Sequence, residues 1–169
     1  MIGPVEAARP ASTDDLATLV HLAGEARREL GPMRGGAVFL RREARRDDAA
    51  ELEALLTDPE AAAWVGTIDD VPIGYAVARV VPLHDGARLA VIDDLFVESE
   101  ARGVGVGEAL MDAVLAWAVE RDCIGVDAVA LPGNRETKNF SERFGLTARA
   151  LVVHRALGPT PPSPGAVDG

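Results

Sequence analysis

Residues 89–121 constrain this chain more than any other stretch, because an apolar extended run from Leu89 to Val97 passes through Arg102-Gly-Val-Gly-Val-Gly107 into a helical pattern. A strand that turns into a helix through such a loop aims several backbone N–H groups, and the positive end of the helix dipole, at one point. That point suits an anion. Two common phosphate loops fail on the residues present. A P-loop needs Gly-x-x-x-x-Gly-Lys-[Ser/Thr], but Glu108 follows Gly107 and supplies neither the lysine nor the hydroxyl. A dinucleotide loop needs Gly-x-Gly-x-x-Gly, and here the third glycine falls one residue early, in a unit that lies mid-chain. Glu108, on the first helical turn, repels a phosphate unless its carboxylate points sideways.

Around this unit the periodicity changes twice. A short strand near Val5–Ala8 precedes a helix capped by Ser12 or Thr13, with Asp14 and Asp15 in its first turn and Leu16, Leu19, Val20 and Ala23 as its apolar stripe. Gly31-Pro32 ends it, and Met33–Leu40 reads as a flexible connection. A second helix is expected from about Asp47 to Leu56, with Leu52, Leu55 and Leu56 inward. Strands follow at Ala62–Ile68 and Val71–Val81, joined as an antiparallel hairpin through Asp69-Asp70, and then at Leu89–Val97 after the turn His84-Asp85-Gly86. Beyond the glycines come a helix over Glu108–Arg121, a strand over Val126–Leu131, a short helix over Asn134–Phe144 closed by Gly145, and a last strand over Leu146–Leu157. Strands gathered around helical excursions predict an α/β domain of the α+β type built on one sheet. The expected organisation is a single domain over 1–157 and a disordered Pro- and Gly-rich tail over 158–169.

Composition excludes several function classes. A net charge of −10 argues against nucleic acid and anionic membrane, which reward clustered Lys and Arg. The arginines at 27, 28, 34, 41, 42, 45 and 46 alternate with acids and read as a solvated helical face. One cysteine, Cys123, and three scattered histidines offer no disulfide and no metal-ligand spacing, so no metal is expected. No apolar run reaches the length of a membrane span and the N-terminal residues do not resemble a secretory signal, so the expected location is cytoplasmic.

The loop Arg102-Gly-Val-Gly-Val-Gly107 resembles the [Q/R]-x-x-G-x-[G/A] pyrophosphate loop of the GNAT superfamily of acyl-CoA-dependent N-acetyltransferases. The preceding Val91–Val97 resembles that family's central strand. Asn134-Arg-Glu-Thr-Lys-Asn-Phe-Ser-Glu-Arg-Phe-Gly-Leu146 resembles its second cofactor segment, N-x-x-A-x-x-[F/L]-Y-x-x-x-G-F. The resemblance implies a GNAT-like, mostly antiparallel sheet flanked by helices. It also implies that backbone N–H groups of Arg102, Gly103, Val104, Gly105, Val106 and Gly107 wrap the pyrophosphate of acetyl-CoA. Val97 would sit where the central strand splays to pair with the pantetheine arm, and Asn134 would open the second cofactor segment.

Acyl transfer to an amine needs a proton acceptor for the attacking ammonium and often a proton donor for the departing thiolate. Two aspartates in an apolar strand are costly unless they face a wet cleft. Asp93 and Asp94 point to opposite faces unless a bulge intervenes. The resemblance favours Asp93 as base, with Asp94 as the alternative; a salt bridge to Arg79 or Arg88 is the competing role. His84, on a turn, is a further base candidate. The family's tyrosine in the second segment aligns with Ser141, whose hydroxyl is shorter and far less acidic than a phenol. Two functions follow: an N-acetyltransferase moving acetyl from acetyl-CoA to a primary amine of a small molecule or peptide, or an acyl-CoA-binding regulatory module with weak or no turnover. The edge of the expected last strand suits a homodimer.

Overall fold

The computed structural model describes residues 5–44 and 48–158. Five strands form one sheet in the order β1 to β5: β1 (Glu6–Pro10), β2 (Ala61–Ile68), β3 (Val71–Pro82), β4 (Arg88–Val97) and β5 (Cys123–Ala128). The first three pairings are antiparallel and β4–β5 is parallel. A parallel pair needs a crossover, and here it is α4 (Val106–Glu120), which follows the glycine loop. The mixed, mostly antiparallel sheet expected from the sequence is therefore the one observed.

Helices cover both faces. On one side, Val106, Leu110, Met111, Val114 and Trp117 of α4 pack on Ala76, Ala78, Ala90 and Ile92, with Trp64 meeting Trp117 edge to face at 5.8 Å. On the other, Leu19, Leu22 and Ala26 of α1 (Leu16–Leu30) and Leu52 and Leu55 of α3 (Ala49–Thr57) cover Val65, Tyr75 and Val77. Successive residues of a strand face opposite ways, so β3 alternates between these two cores.

The entry to α1 is fixed electrostatically. Asp15, buried just ahead of the helix, accepts from the Ser12 backbone N–H at 2.8 Å and from both terminal nitrogens of Arg9 at 2.8 and 2.7 Å. The hydrogen bond from Arg9 is the main cause, with help from Ser12, of an Asp15 pKa lowered to about 2.

Two expected elements differ. The segment taken as a flexible connection holds a helix, α2 (Gly36–Arg42), because Gly35 turns the chain and Phe39 packs inward. No strand forms over 146–157, where Leu151, Val152, Val153 and Leu157 are exposed. Strand propensity is realised only on a half-buried surface with a paired edge, and within one chain this segment has neither. β5 also begins three residues earlier than expected, since its parallel register starts at Arg88↔Cys123. The expected helix start at Asp47 and the tail over 159–169 lie outside the described residues. Among the described residues no helix is long and apolar enough to cross a membrane.

Candidate functional site

The expected unit of strand, loop and helix opens onto a cleft of about 400 Å³ between β4, α4, the end of α1, Phe39 of α2, the end of β5 with Val129 and Leu131 beyond it, and α5 (Arg135–Arg143). Its wall is irregular for a local reason. In the β3–β4 ladder Val77 faces Asp94 and Ala78 faces Ile92, so Asp93 is the extra residue of a β-bulge. A bulge bends its strand and re-aims the side chains on it. As a result both Asp93 and Asp94 line the cleft, together with Ile92, Leu95, Phe96 and Val97. Strict alternation allowed only one of them to do so.

Asp93 is anchored: its two oxygens lie 3.0 and 3.1 Å from Arg79 Nε, and its side chain is only 5% exposed. This is the ion pair weighed against a role as base, and it goes to Arg79. Arg88 is engaged elsewhere, donating to Glu60 at 2.7 Å and to the Arg121 carbonyl at 2.9 Å. His84 does not line the cleft.

At the other end the chain leaves β4 through a single 3-10 turn, Ser99–Ala101, and enters α4. Gly103 and Gly105 take φ of +81° and +100°, the left-handed region that glycine occupies without strain. Gly107 lets α5 pack close, because a Cβ there would lie 3.3 Å from the Phe140 ring and push it back by a few tenths of an ångström. The first-turn amides of α4, at Val106, Gly107 and Glu108, have no intrahelical acceptor, and among the described residues none donates to another group. They lie at the positive end of a fifteen-residue helix. The carboxylate of Glu108 is turned aside and held by Arg143 of α5 at 3.0 Å, which removes the repulsion its position suggested.

Of the residues expected to hold a cofactor, Val97, Arg102, Gly103, Gly107 and Asn134 line the cleft. Val104 points to solvent, Val106 is buried in the core, and Gly105 caps α4, so these three offer only backbone. Arg102 donates from Nε to the Val97 carbonyl at 2.9 Å and from a terminal nitrogen to Glu29 at 2.6 Å, and it stacks over Phe96 at 5.6 Å. Asn134 caps α5 by accepting from the Thr137 N–H at 3.1 Å. Ser141 lines the cleft, but its hydroxyl donates to the Thr137 carbonyl at 2.9 Å, one turn back in the same helix.

Sequence reasoning missed Glu29, Phe39, Met111, Phe140 and Arg143 as cleft residues. Phe39 was hidden in the segment read as a connection, although the apolar run from Ala37 to Leu40 after Gly35-Gly36 was a helical signal. Among the described residues, no group of three or more His, Cys, Asp or Glu is placed to hold a metal.

Comparison with known proteins agrees with this fold. Residues 27–146 match the acetyltransferase (GNAT) family. The peptidyl-lysine N-acetyltransferase YjaB of Salmonella typhimurium is 32% identical over 108 residues, which is 61% of this chain and 65% of that protein. Among solved structures, a tetramutant of the BH1408 protein from Bacillus halodurans superposes with a TM-score of 0.74 at 18% identity, covering 93% of this chain and all of the other. The aminoglycoside N-acetyltransferase AAC(6')-Iy in complex with CoA gives 0.71 at 22% identity, over 92% of this chain and 97% of the other. At such identities the two structures speak for the fold alone.

Proposed function

Since the chain belongs to the acetyltransferase (GNAT) family, we propose that it is an N-acetyltransferase that moves the acetyl group of acetyl-CoA to a primary amine, in the cytoplasm. The observation that carries this reading is the set of first-turn amides of α4, without an acceptor among the described residues, at a cleft lined by Gly103, Gly107 and Glu108 and by the bulged wall of Asp93 and Asp94. The amides and the helix dipole suit the pyrophosphate of the donor. The cleft between them and the bulge, lined by Met111, Phe140 and Val97, is apolar enough for the pantetheine arm. CoA bound to the structural neighbour AAC(6')-Iy supports this placement.

At the far end, the two carboxylates draw in an ammonium group and accept its proton, directly or through water. Asp93, fixed by Arg79, is the oriented member of the pair. The nitrogen lone pair so released attacks the thioester carbonyl, the new C–N bond forms as C–S breaks, the nitrogen gives its second proton to water, and the sulfur leaves as a thiolate. Ser141 is poorly placed to protonate that thiolate, because its hydrogen is committed to Thr137. A free thiol has a pKa near 8.5, so departure as the anion, followed by protonation from water, costs little near neutral pH.

The acceptor is a cation at the point of entry, in keeping with the acids Glu29, Asp93, Asp94, Glu108 and Glu136 around the cleft. A peptidyl lysine is the acceptor named for the 32% identical relative, and it heads the classes to test. The rival reading, a CoA-binding module without turnover, is favoured by one observation: the side chain at the family's tyrosine position is a serine whose proton is taken. Thiol release from acetyl-CoA across a panel of lysine peptides, polyamines and aminoglycosides separates the two. Turnover that falls at least tenfold in Asp93→Asn or Asp94→Asn, with CoA binding kept, supports the enzyme. Tight CoA binding with no turnover on any amine supports the module.

A further inference from the structure

The cleft crosses the sheet. Its wall takes Ala26, Glu29 and Leu30 from α1, which lies on one face, and Gly107 and Met111 from α4, which lies on the other. The crossing point is where the parallel ladder stops: β5 pairs with β4 as far as Ile92↔Ala128, and the bulge at Asp93 follows. With the donor at the first turn of α4, the α1–α2 side is left for the acceptor.

On that side a second recess, of about 270 Å³, adjoins the cleft at Asp93. Phe39, Ile92, Asp93 and Val129 line both cavities, whereas Arg42, Glu43, Arg79 and Val91 line the recess alone. Arg79 faces this way because it follows Tyr75 and Val77 at alternate positions of β3, and both of those pack under α1 and α3. Its Nε is spent on Asp93, and among the described residues its two terminal nitrogens donate to no other group. Arg42, in the last turn of α2, approaches Glu43 Oε1 only to 3.5 Å, beyond a good hydrogen bond. In the sequence Arg42 belongs to a run of alternating charges that reads as a solvated face, and the fold sets it at the rim of a cavity. Two guanidinium groups with donors to spare, next to the carboxylates that take an ammonium, suit one molecule that carries both charges.

We propose, on the footing of the N-acetyltransferase reading, that the acceptor is a small amphoteric amine, with its ammonium at Asp93 and Asp94 and its carboxylate at Arg42 and the terminal nitrogens of Arg79. A guanidinium grips a carboxylate through two parallel N–H groups, and the terminal pair of Arg79 does so while Nε stays on Asp93. Hydrogen bonds of about 2.8 Å at each end of the Arg79–Asp93 pair then fit an amine and a carboxylate separated by about one to four carbons. At about 30 Å³ per water the recess of about 270 Å³ displaces roughly nine, the bulk of an amino acid rather than of a peptide. A polyamine or an aminoglycoside brings further cations to the same two arginines, and a lysine within a peptide has no carboxylate fixed beside its amine.

Steady-state release of CoA thiol from acetyl-CoA by the full chain tests this on glycine, β-alanine, 4-aminobutyrate and 5-aminopentanoate, each beside its carboxamide and beside the alkylamine that lacks the carboxylate. The assay runs near pH 7, below the pKa values of these amines. At least one acid exceeds its carboxamide in kcat/KM by about tenfold or more, the worth of one charge-assisted hydrogen bond. Arg42→Glu, at a side chain 72% exposed, brings that ratio to about one or below with circular dichroism unchanged, and Arg79→Lys, which keeps the charge and loses the fork, lowers it as well. Carboxamides or alkylamines turned over as well as the acids overturn the proposal and leave the N-acetyltransferase standing. So do lysine peptides preferred tenfold over every acid, or a ratio unchanged in both variants. CoA binding with no turnover on any amine overturns the N-acetyltransferase itself, and this acceptor with it.

Discussion

Replacing Gly105 by alanine isolates the backbone conformation of the loop from its packing. The new Cβ would meet Glu6 Cγ at 3.6 Å, an ordinary contact, so space is not the obstacle. The obstacle is φ of +100°, in a region that costs an L-residue about 1–2 kcal/mol. In a domain of this size each kcal/mol moves the melting temperature by about 2–4 °C, so Gly105→Ala should lower Tm by about 2–8 °C. If the loop instead escapes the strain by rotating, the first-turn amides of α4 turn with it. Losing one charge-assisted hydrogen bond of about 1.5–3 kcal/mol then raises the Kd for CoA by about ten- to a hundredfold. Gly86→Ala is the control, because Gly86 has φ of +85° in the β3–β4 turn with nothing near its Cβ, and it does not line the cleft. Calorimetric titration with CoA and thermal unfolding of both variants give the comparison. Equal CoA affinity in the two at equal loss of Tm would refute the assignment of the loop as an anion cradle.

Three further outcomes follow from particular contacts. Glu29→Gln should tighten CoA binding about two- to fivefold and steepen its salt dependence, since it releases the Arg102 guanidinium from a partner 2.6 Å away in a partly exposed pair worth about 0.5–1 kcal/mol; titration at two salt concentrations reads this. Ser141→Ala should change kcat by less than about threefold, because the hydroxyl is bonded within its own helix and the thiolate leaves unprotonated; a fall of a hundredfold or more would restore the serine as proton donor. Asp15 has a folded pKa lowered to about 2, so its ion pair stabilises the fold above its ordinary value near 4 and that contribution fades as pH falls toward 2. With Arg9 half exposed, the difference in unfolding free energy between the wild type and Asp15→Asn should be about 1–2 kcal/mol near neutral pH and shrink below about pH 4, as read by urea unfolding across that range.

Much of the architecture was legible because the residues that form it act locally. Asp69-Asp70 adopt φ of 47° and 64° and close the β2–β3 hairpin, as acidic turn residues between two apolar runs suggest. Ser12 with Asp14 and Asp15 marked the entry to α1, and the stripe of α4 was readable from Leu110, Val114 and Ala118. The elements that were misread depend on distant partners. Whether 37–40 is helix or connection depends on what Phe39 packs against. Whether 146–157 is a strand depends on a pairing edge elsewhere in the sheet, and in this structure the segment pairs with none.

The same division runs through the site. Sequence alone determined that a glycine-rich loop joins a strand to a helix, and that it is neither a P-loop nor a dinucleotide loop, because spacing and side-chain chemistry are local properties. It also determined the family, through a second segment about thirty residues downstream. Only the tertiary structure decided that a bulge turns both Asp93 and Asp94 to one cleft, that Arg79 takes Asp93, that Arg143 pairs with Glu108, and that Glu29 holds Arg102. Each of these joins residues far apart in the chain, and a hydrogen bond a few ångströms long between them exists only once the sheet has fixed where each strand and helix lies.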